Sequence, residues 1–206
     1  MTHRVFHVTL LGVFVLSGFS ALLYQMSWQR ALMTIYGSHM ESVAMVSSAF
    51  LTGLGLGSLL GGHLSSRPGF PLVLGFAIAE LGVAVYGVSS LYLFDIVGAA
   101  TAVGSANWLI GLMSFTLIFV PTMLMGATLP LLVEFFVRET GRVGASVSLL
   151  YGVNTIGGAI GAAVAVMVVL GTFGLQGSVV VAASLNLAVV VLISVTSRRV
   201  RAGATA

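Results

Sequence analysis

The sequence predicts an all-α integral membrane protein, a single domain over residues 1–206 built as a bundle of six membrane-spanning helices. Three observations carry that expectation. Hydrophobic residues make up 58% of the chain and charged residues 6%, with a mean hydropathy of +1.14, which leaves no polar shell for a water-soluble core. The apolar residues fall into runs of roughly 20, the length a helix needs to cross a hydrocarbon layer of about 30 Å. The eight basic residues are all arginine; with six crossings and both ends on one side, Arg4, Arg67, Arg138, Arg142, Arg198, Arg199 and Arg201 share the inner face and only Arg30 lies outside. Five or seven crossings would split that asymmetry, so both termini are expected in the cytoplasm.

The composition also excludes functions. Cysteine is absent, which removes disulfides, thiolate metal sites and cysteine nucleophiles together. The net charge of +3 reflects where the arginines sit in loops and does not describe a nucleic-acid surface. His3 and His7 lie at the amino end and His39 and His63 at loops, so no histidine cluster or serine–histidine–acid set forms. No catalytic residue, metal site or cofactor is expected, and the lipid bilayer is the one obligatory partner.

The first span covers 5–24 and can continue as helix through Trp28 and Leu32. It ends in Tyr24-Gln25-Met26-Ser27-Trp28-Gln29-Arg30, the kind of aromatic and polar girdle that sits at a membrane surface. Anchoring is the first reading of Tyr24, Gln25 and Trp28, and solute contact the second. The second span, 41–64, carries Gly53, Gly57 and Gly61 four apart, a smooth face for close packing of another helix. Gly53-Leu54-Gly55-Leu56-Gly57 fails the spacing of a dinucleotide loop and has no strand before it, so nucleotide binding is set aside.

The third span, 70–92, holds Glu80 near its middle. An ionisable group at such depth costs a few kcal/mol and faces the bundle interior or a water-filled cavity, which makes Glu80 the leading site candidate. Its other reading is a structural glutamate that clips helices together. Tyr86 lies nearby among small residues. The fourth span, 108–133, contains Pro121 and Pro130 with Gly126 between them. A membrane helix tolerates such prolines when neighbouring groups satisfy the freed carbonyls, and Thr122 and Thr128 stand beside them for that purpose. A kinked packing helix and a moving, solute-lining helix both fit. The fifth span, 147–170, opens with Tyr151 and Asn154 and repeats the close-packing spacing at Gly157 and Gly161. A short turn at 171–177 leads to the sixth span, 178–195, whose one strongly polar interior residue is Asn186.

Motifs in this order resemble a known family. Gly62-His63-Leu64-Ser65-Ser66-Arg67-Pro68-Gly69 is similar to the loop joining the second and third helices of a six-helix half in the major facilitator superfamily, with Ser66 replacing that motif's acidic residue. Ser17-Gly18-Phe19, Tyr24-Gln25-x-x-Trp28-x-Arg30, Gly53-x-x-x-Gly57, Glu80-Leu81-Gly82, Pro121-Thr122-x-x-Met125-Gly126 and Tyr151-Gly152-x-Asn154-Thr155 together resemble the membrane part of bacterial fused major-facilitator/spermidine-synthase proteins. Gln25 departs from that pattern, which usually has glutamate there. The resemblance implies one half of a major facilitator fold in a bacterial inner membrane and a polyamine-like solute. Glu80 would offset its charge, with Tyr24, Trp28, Tyr86 and Tyr151 as rings. The aminopropyltransferase-type domain that follows in those proteins is not encoded in these residues, so no catalysis is implied. Partners would be a second copy enclosing a cavity, or a separate synthase-like enzyme for which this chain is anchor or regulatory subunit.

Overall fold

A computed structural model describes residues 3–36, 40–101 and 107–204. The helices are α1 (His3–Tyr36), α2 (Met40–Ser65), α3 (Leu72–Thr101), α4 (Asn107–Thr140), α5 (Val143–Val164) and α6 (Leu170–Ala204), with a π-helical turn at Ala165–Val169 between the last two. Outside 66–71 and 141–142 every described residue is helical, and no strand occurs among them. Five stretches are long and apolar enough to cross a membrane: Val5–Thr34, Val43–Ser65, Leu72–Ala99, Gly111–Thr140 and the continuous Val143–Arg198. His39 lies outside the described residues.

The helices end where the sequence supplies a reason. Gly141 takes φ 69, and its N–H reaches the Val137 carbonyl at 2.8 Å, the left-handed stop that closes α4. At the same end of the bundle Arg138 donates both to Glu134 and to the Ser65 carbonyl, each at 2.8 Å, so a side chain of α4 caps the last turn of α2. The turn expected over 171–177 shrinks to one residue, Gly174, with φ 66 and ψ −170 inside helical neighbours. Before that break α5 runs in the same direction as α1, with Gly157 against Val15 and Gly161 against Phe19. After it the direction reverses, since Val179 and Ala183 join the core around Trp28 while Val189 and Ile193 join that of Phe6 and Phe14.

Packing is closest along two parallel pairs, α2 with α4 and α1 with α5, and glycine is what permits it. A Cβ on Gly57, Gly61 or Gly126 would strike the facing backbone of Met123, Ala127 or Leu54; one on Gly157, Gly161 or Gly18 would strike that of Val15, Phe19 or Asn154. The two interfaces share a register: Leu54, Gly57 and Gly61 of α2 take the parts that Asn154, Gly157 and Gly161 take in α5, while Met123, Gly126 and Ala127 of α4 match Val15, Gly18 and Phe19 of α1. In the same scheme α1 packs on α6 as α4 packs on α3. Because α2 starts beside the end of α1, with Val46 and Phe50 in one core with Leu32, α1 and α4 run oppositely. The chain is thus two three-helix units of matching contacts and inverted direction.

The proline-bearing helix differs from expectation in its partners. Helix α4 runs unbroken through Pro121 and Pro130. Pro121 removes the amide that would bond the Leu117 carbonyl, and the hydroxyl of Tyr86 on α3 donates to that carbonyl at 2.5 Å. Thr122 bonds Ile118 and Phe119, and Thr128 bonds Met125, so neither threonine serves the carbonyl that Pro121 frees. The hydroxyl on the neighbouring helix lies along its direction; that of Thr122 points back along its own turn.

Candidate functional site

Each of three helices buries one polar side chain at a common level. Ser17 on α1 donates to Oε1 of Glu80 on α3 at 2.5 Å, and Nδ2 of Asn186 on α6 donates to Oε2 at 2.6 Å. Glu80 is 1% exposed and Asn186 2%. Apolar side chains flank the layer in both directions. Phe14, Phe76 and Val189, one turn away in one direction, belong to one core; Leu23, Val83 and Ala183 in the other direction belong to the second. Counting 1.5 Å per residue along α3, Glu80 lies about 12 Å from Leu72 and about 22 Å from Asp95.

Nothing cationic joins this layer. Between Val8 and Gln29, Val43 and Gly62, Gly111 and Val133, Val143 and Leu170, and Ser178 and Ser197 there is no Asp, Glu, Arg or His, so among the described residues Glu80 is the one such residue at this level. Two neutral donors stabilise the carboxyl in place of a counter-charge, an arrangement that satisfies its oxygens without cancelling a charge.

On the Asp95 side the polar groups continue. Tyr24 stacks on Trp28 with centroids 5.0 Å apart, and Trp28 Nε1 donates to Ser90 Oγ at 2.9 Å, which donates in turn to the Gly87 carbonyl at 2.7 Å. Gly87 has no side chain because the Tyr24 ring lies against it. Two buried atoms find no hydrogen-bond partner among the described residues here, Tyr24 Oη and Asn186 Oδ1. A cavity of about 410 Å³ lies beyond Phe94 and Ala31, lined by Thr34, Tyr92, Asp95 and Gln176, and it does not extend to Glu80.

The predicted site residues are therefore only partly brought together. Tyr24 and Trp28, expected as a surface girdle, are wholly buried. Their faces meet α3 and α6, and burial of two large rings outweighs the interfacial preference of each. Tyr86 edges against Trp28 but spends its hydroxyl on α4. Gln25 is half-buried beside them. Tyr151 is 60% exposed on the outer side of α5, away from the other rings. Asn154 packs its carbonyl groups on Gly18 and acts between α5 and α1. Ser17, Asn186 and Ser90 complete the polar contacts. Asn186 carried a signal, being alone in an apolar run; the two serines carried none, because serine also back-bonds its own helix at many membrane positions. No group of three or more His, Cys, Asp or Glu that could hold a metal occurs among the described residues.

No family model, curated protein or solved structure matches this chain.

Its membrane character therefore rests on the apolar helices alone.

Proposed function

We propose that this chain crosses a bacterial cytoplasmic membrane six times, with both termini inside, and serves as a solute-binding or transport module shaped like one half of a major facilitator. The observation that carries this reading is the position of Glu80. Its three-residue layer joins α1 and α3 of the first unit to α6 of the second, and transporters built from inverted repeats keep their sites near the midplane where repeats meet. The reversal at Gly174 supports six crossings, since a helical stretch of 56 residues would otherwise extend about 84 Å, far beyond a bilayer. Nested inverted three-helix units are what major facilitator halves contain. A single half leaves one wall of a cavity open, so a second copy would complete it. The resemblance of the motifs points to a polyamine-like cation as solute.

A second reading has its own observation. Glu80 is sealed by packing, and Tyr24 and Trp28 stack on each other, as a structural clip would be built. Under it the chain is a membrane anchor or regulatory subunit for a separate aminopropyltransferase-like enzyme. Reconstitution in liposomes separates the two: uptake of labelled polyamine above empty vesicles, reduced at least about tenfold in Glu80→Gln, supports the module. Folded protein without uptake supports the anchor. Equal uptake by both proteins removes Glu80 from the path. Mass measurement in detergent tests the second copy, and a stable monomer refutes it.

A further inference from the structure

The geometry points to Glu80 as a reversible proton site, with the amide of Asn186 turning over to follow the carboxyl between its charged and neutral forms. This rests on the reading of Glu80 as the functional group of the module and adds what that group binds. The first support is the pairing itself. Asn186 presents Nδ2 to Oε2 at 2.6 Å while its Oδ1 is buried without a partner. The two ends of a carboxamide have almost the same shape, so a half-turn exchanges them within the same space. Toward the carboxylate, the NH₂ end donates. Toward the acid, the Oε2 hydroxyl donates to Oδ1 over a similar separation. Ser17 donates to Oε1 in both states, and each state keeps its hydrogen bonds to the carboxyl.

The second support is the surroundings. From α1 the one titratable group near Glu80 is Tyr24; α3 adds Tyr86, which is engaged with Leu117; α4 and α6 present none over the lengths that pack here. A change of charge on Glu80 therefore meets no fixed counter-ion that would hold it in one state. The third support is size. A hydrogen-bonded separation of 2.6 Å accommodates a proton, whereas a divalent metal ion needs about six oxygen ligands. The carboxyl, one hydroxyl and one amide fall short of that, even with the Tyr24 hydroxyl added. The step is simple in its balance: a proton from the aqueous phase forms one O–H bond at Oε2, the carboxylate loses its charge, and no other covalent bond changes.

Infrared difference spectroscopy on the reconstituted protein, stepped between alkaline and acid pH, tests this without requiring transport. A protonated-carboxyl C=O component should grow on acidification and be missing in Glu80→Gln, which keeps the bands of Glu41, Asp95, Glu134 and Glu139. An amide band should change in parallel and vanish from the difference spectrum in Asn186→Leu. In that variant the carboxylate loses a charge-assisted bond and the acid only a neutral one, so the midpoint of the carboxyl band should move by about fivefold in proton concentration, the difference between the two bonds. Should Glu80→Gln fail to fold, ¹³C-glutamate labelling of a Glu41→Gln/Glu134→Gln/Glu139→Gln variant leaves Glu80 as the sole glutamate and identifies its band with the site intact. A carboxyl band constant at every pH, or absent at every pH, overturns the proposal. So does a midpoint unmoved by Asn186→Leu, or a band that responds to sodium at fixed pH. A null uptake result would remove the transport reading and leave these spectra as they are.

Discussion

A methyl group added at Gly57 would meet the Met123 backbone with its Cα at 2.8 Å, and one added at Gly157 would meet Val15 with its carbonyl carbon at 2.9 Å. Carbon atoms attract best at about 3.5–4.0 Å and the Met123 and Val15 carbonyl oxygens lie nearer still, so Gly57→Ala and Gly157→Ala each force a helix pair apart by at least about 0.6–1.2 Å. Rotamer changes offer no relief, because the obstacle is backbone. Overpacking of this kind costs about 1–3 kcal/mol, and a gap of that width forfeits a quarter to a half of the dispersion energy along the adjoining contacts. About 2 kcal/mol is expected for each substitution, and about 4 kcal/mol for the two together, since the interfaces are separate. Gly152 supplies the control on the same helix as Gly157: a Cβ there has nothing within 4 Å, and Gly152→Ala should change stability by no more than about 0.5 kcal/mol. Unfolding in mixed micelles with increasing dodecyl sulfate, followed by circular dichroism and by the fluorescence of the two tryptophans, measures these differences. Equal losses in Gly152→Ala and Gly157→Ala would refute the assignment of the close faces. A neutral Gly57→Ala beside a damaging Gly157→Ala would refute the equivalence of the two interfaces.

Three further outcomes follow from the same packing. Tyr86→Phe strips the donor from a Leu117 carbonyl that Pro121 already leaves without an amide, and should cost about 1–3 kcal/mol in the same unfolding assay, less when combined with Pro121→Ala. Asn186→Leu alone should destabilise by about 1–3 kcal/mol by leaving Oε2 of Glu80 without its donor, whereas Ser17→Ala/Glu80→Met/Asn186→Leu together should be neutral or stabilising. If the triple variant is as stable as the parent and takes up no solute, the polar layer is kept for function; if it is less stable than Asn186→Leu, the layer is structural. Because the chain has no cysteine, single replacements report sidedness directly. Ser66→Cys and Ser197→Cys should react with an impermeant maleimide from the same face, and Thr34→Cys from the other; labelling of Ser66→Cys and Ser197→Cys from opposite faces would overturn the six-crossing proposal.

Legibility in the sequence followed the range of the interaction that each feature depends on. Hydropathy and length are local properties, so the apolar helices were readable directly; their ends were not, since α1, expected over 5–24 with continuation to Leu32, reaches Tyr36, and α4, expected over 108–133, reaches Thr140. The glycine spacings were readable as faces for the same reason, and Glu80 stood out because one charge in an apolar run has no local explanation. Ser17 could not be read as its partner, because it lies 63 residues away and its own type is commonplace in such helices.

By itself the sequence determined that the chain forms apolar helices of membrane-crossing length, which of their faces lack side chains, and that a single acid lies deep among them. Only the tertiary structure decided which helix each face meets, that Tyr24 and Trp28 turn inward, that Tyr86 answers Pro121, and that Asn186, 106 residues from Glu80, completes its bonding. The physical reason is that lipid and core are equally apolar, so the rotation of a helix about its axis leaves little trace in composition. That rotation is fixed by close contact and by the few polar groups that must find each other away from water.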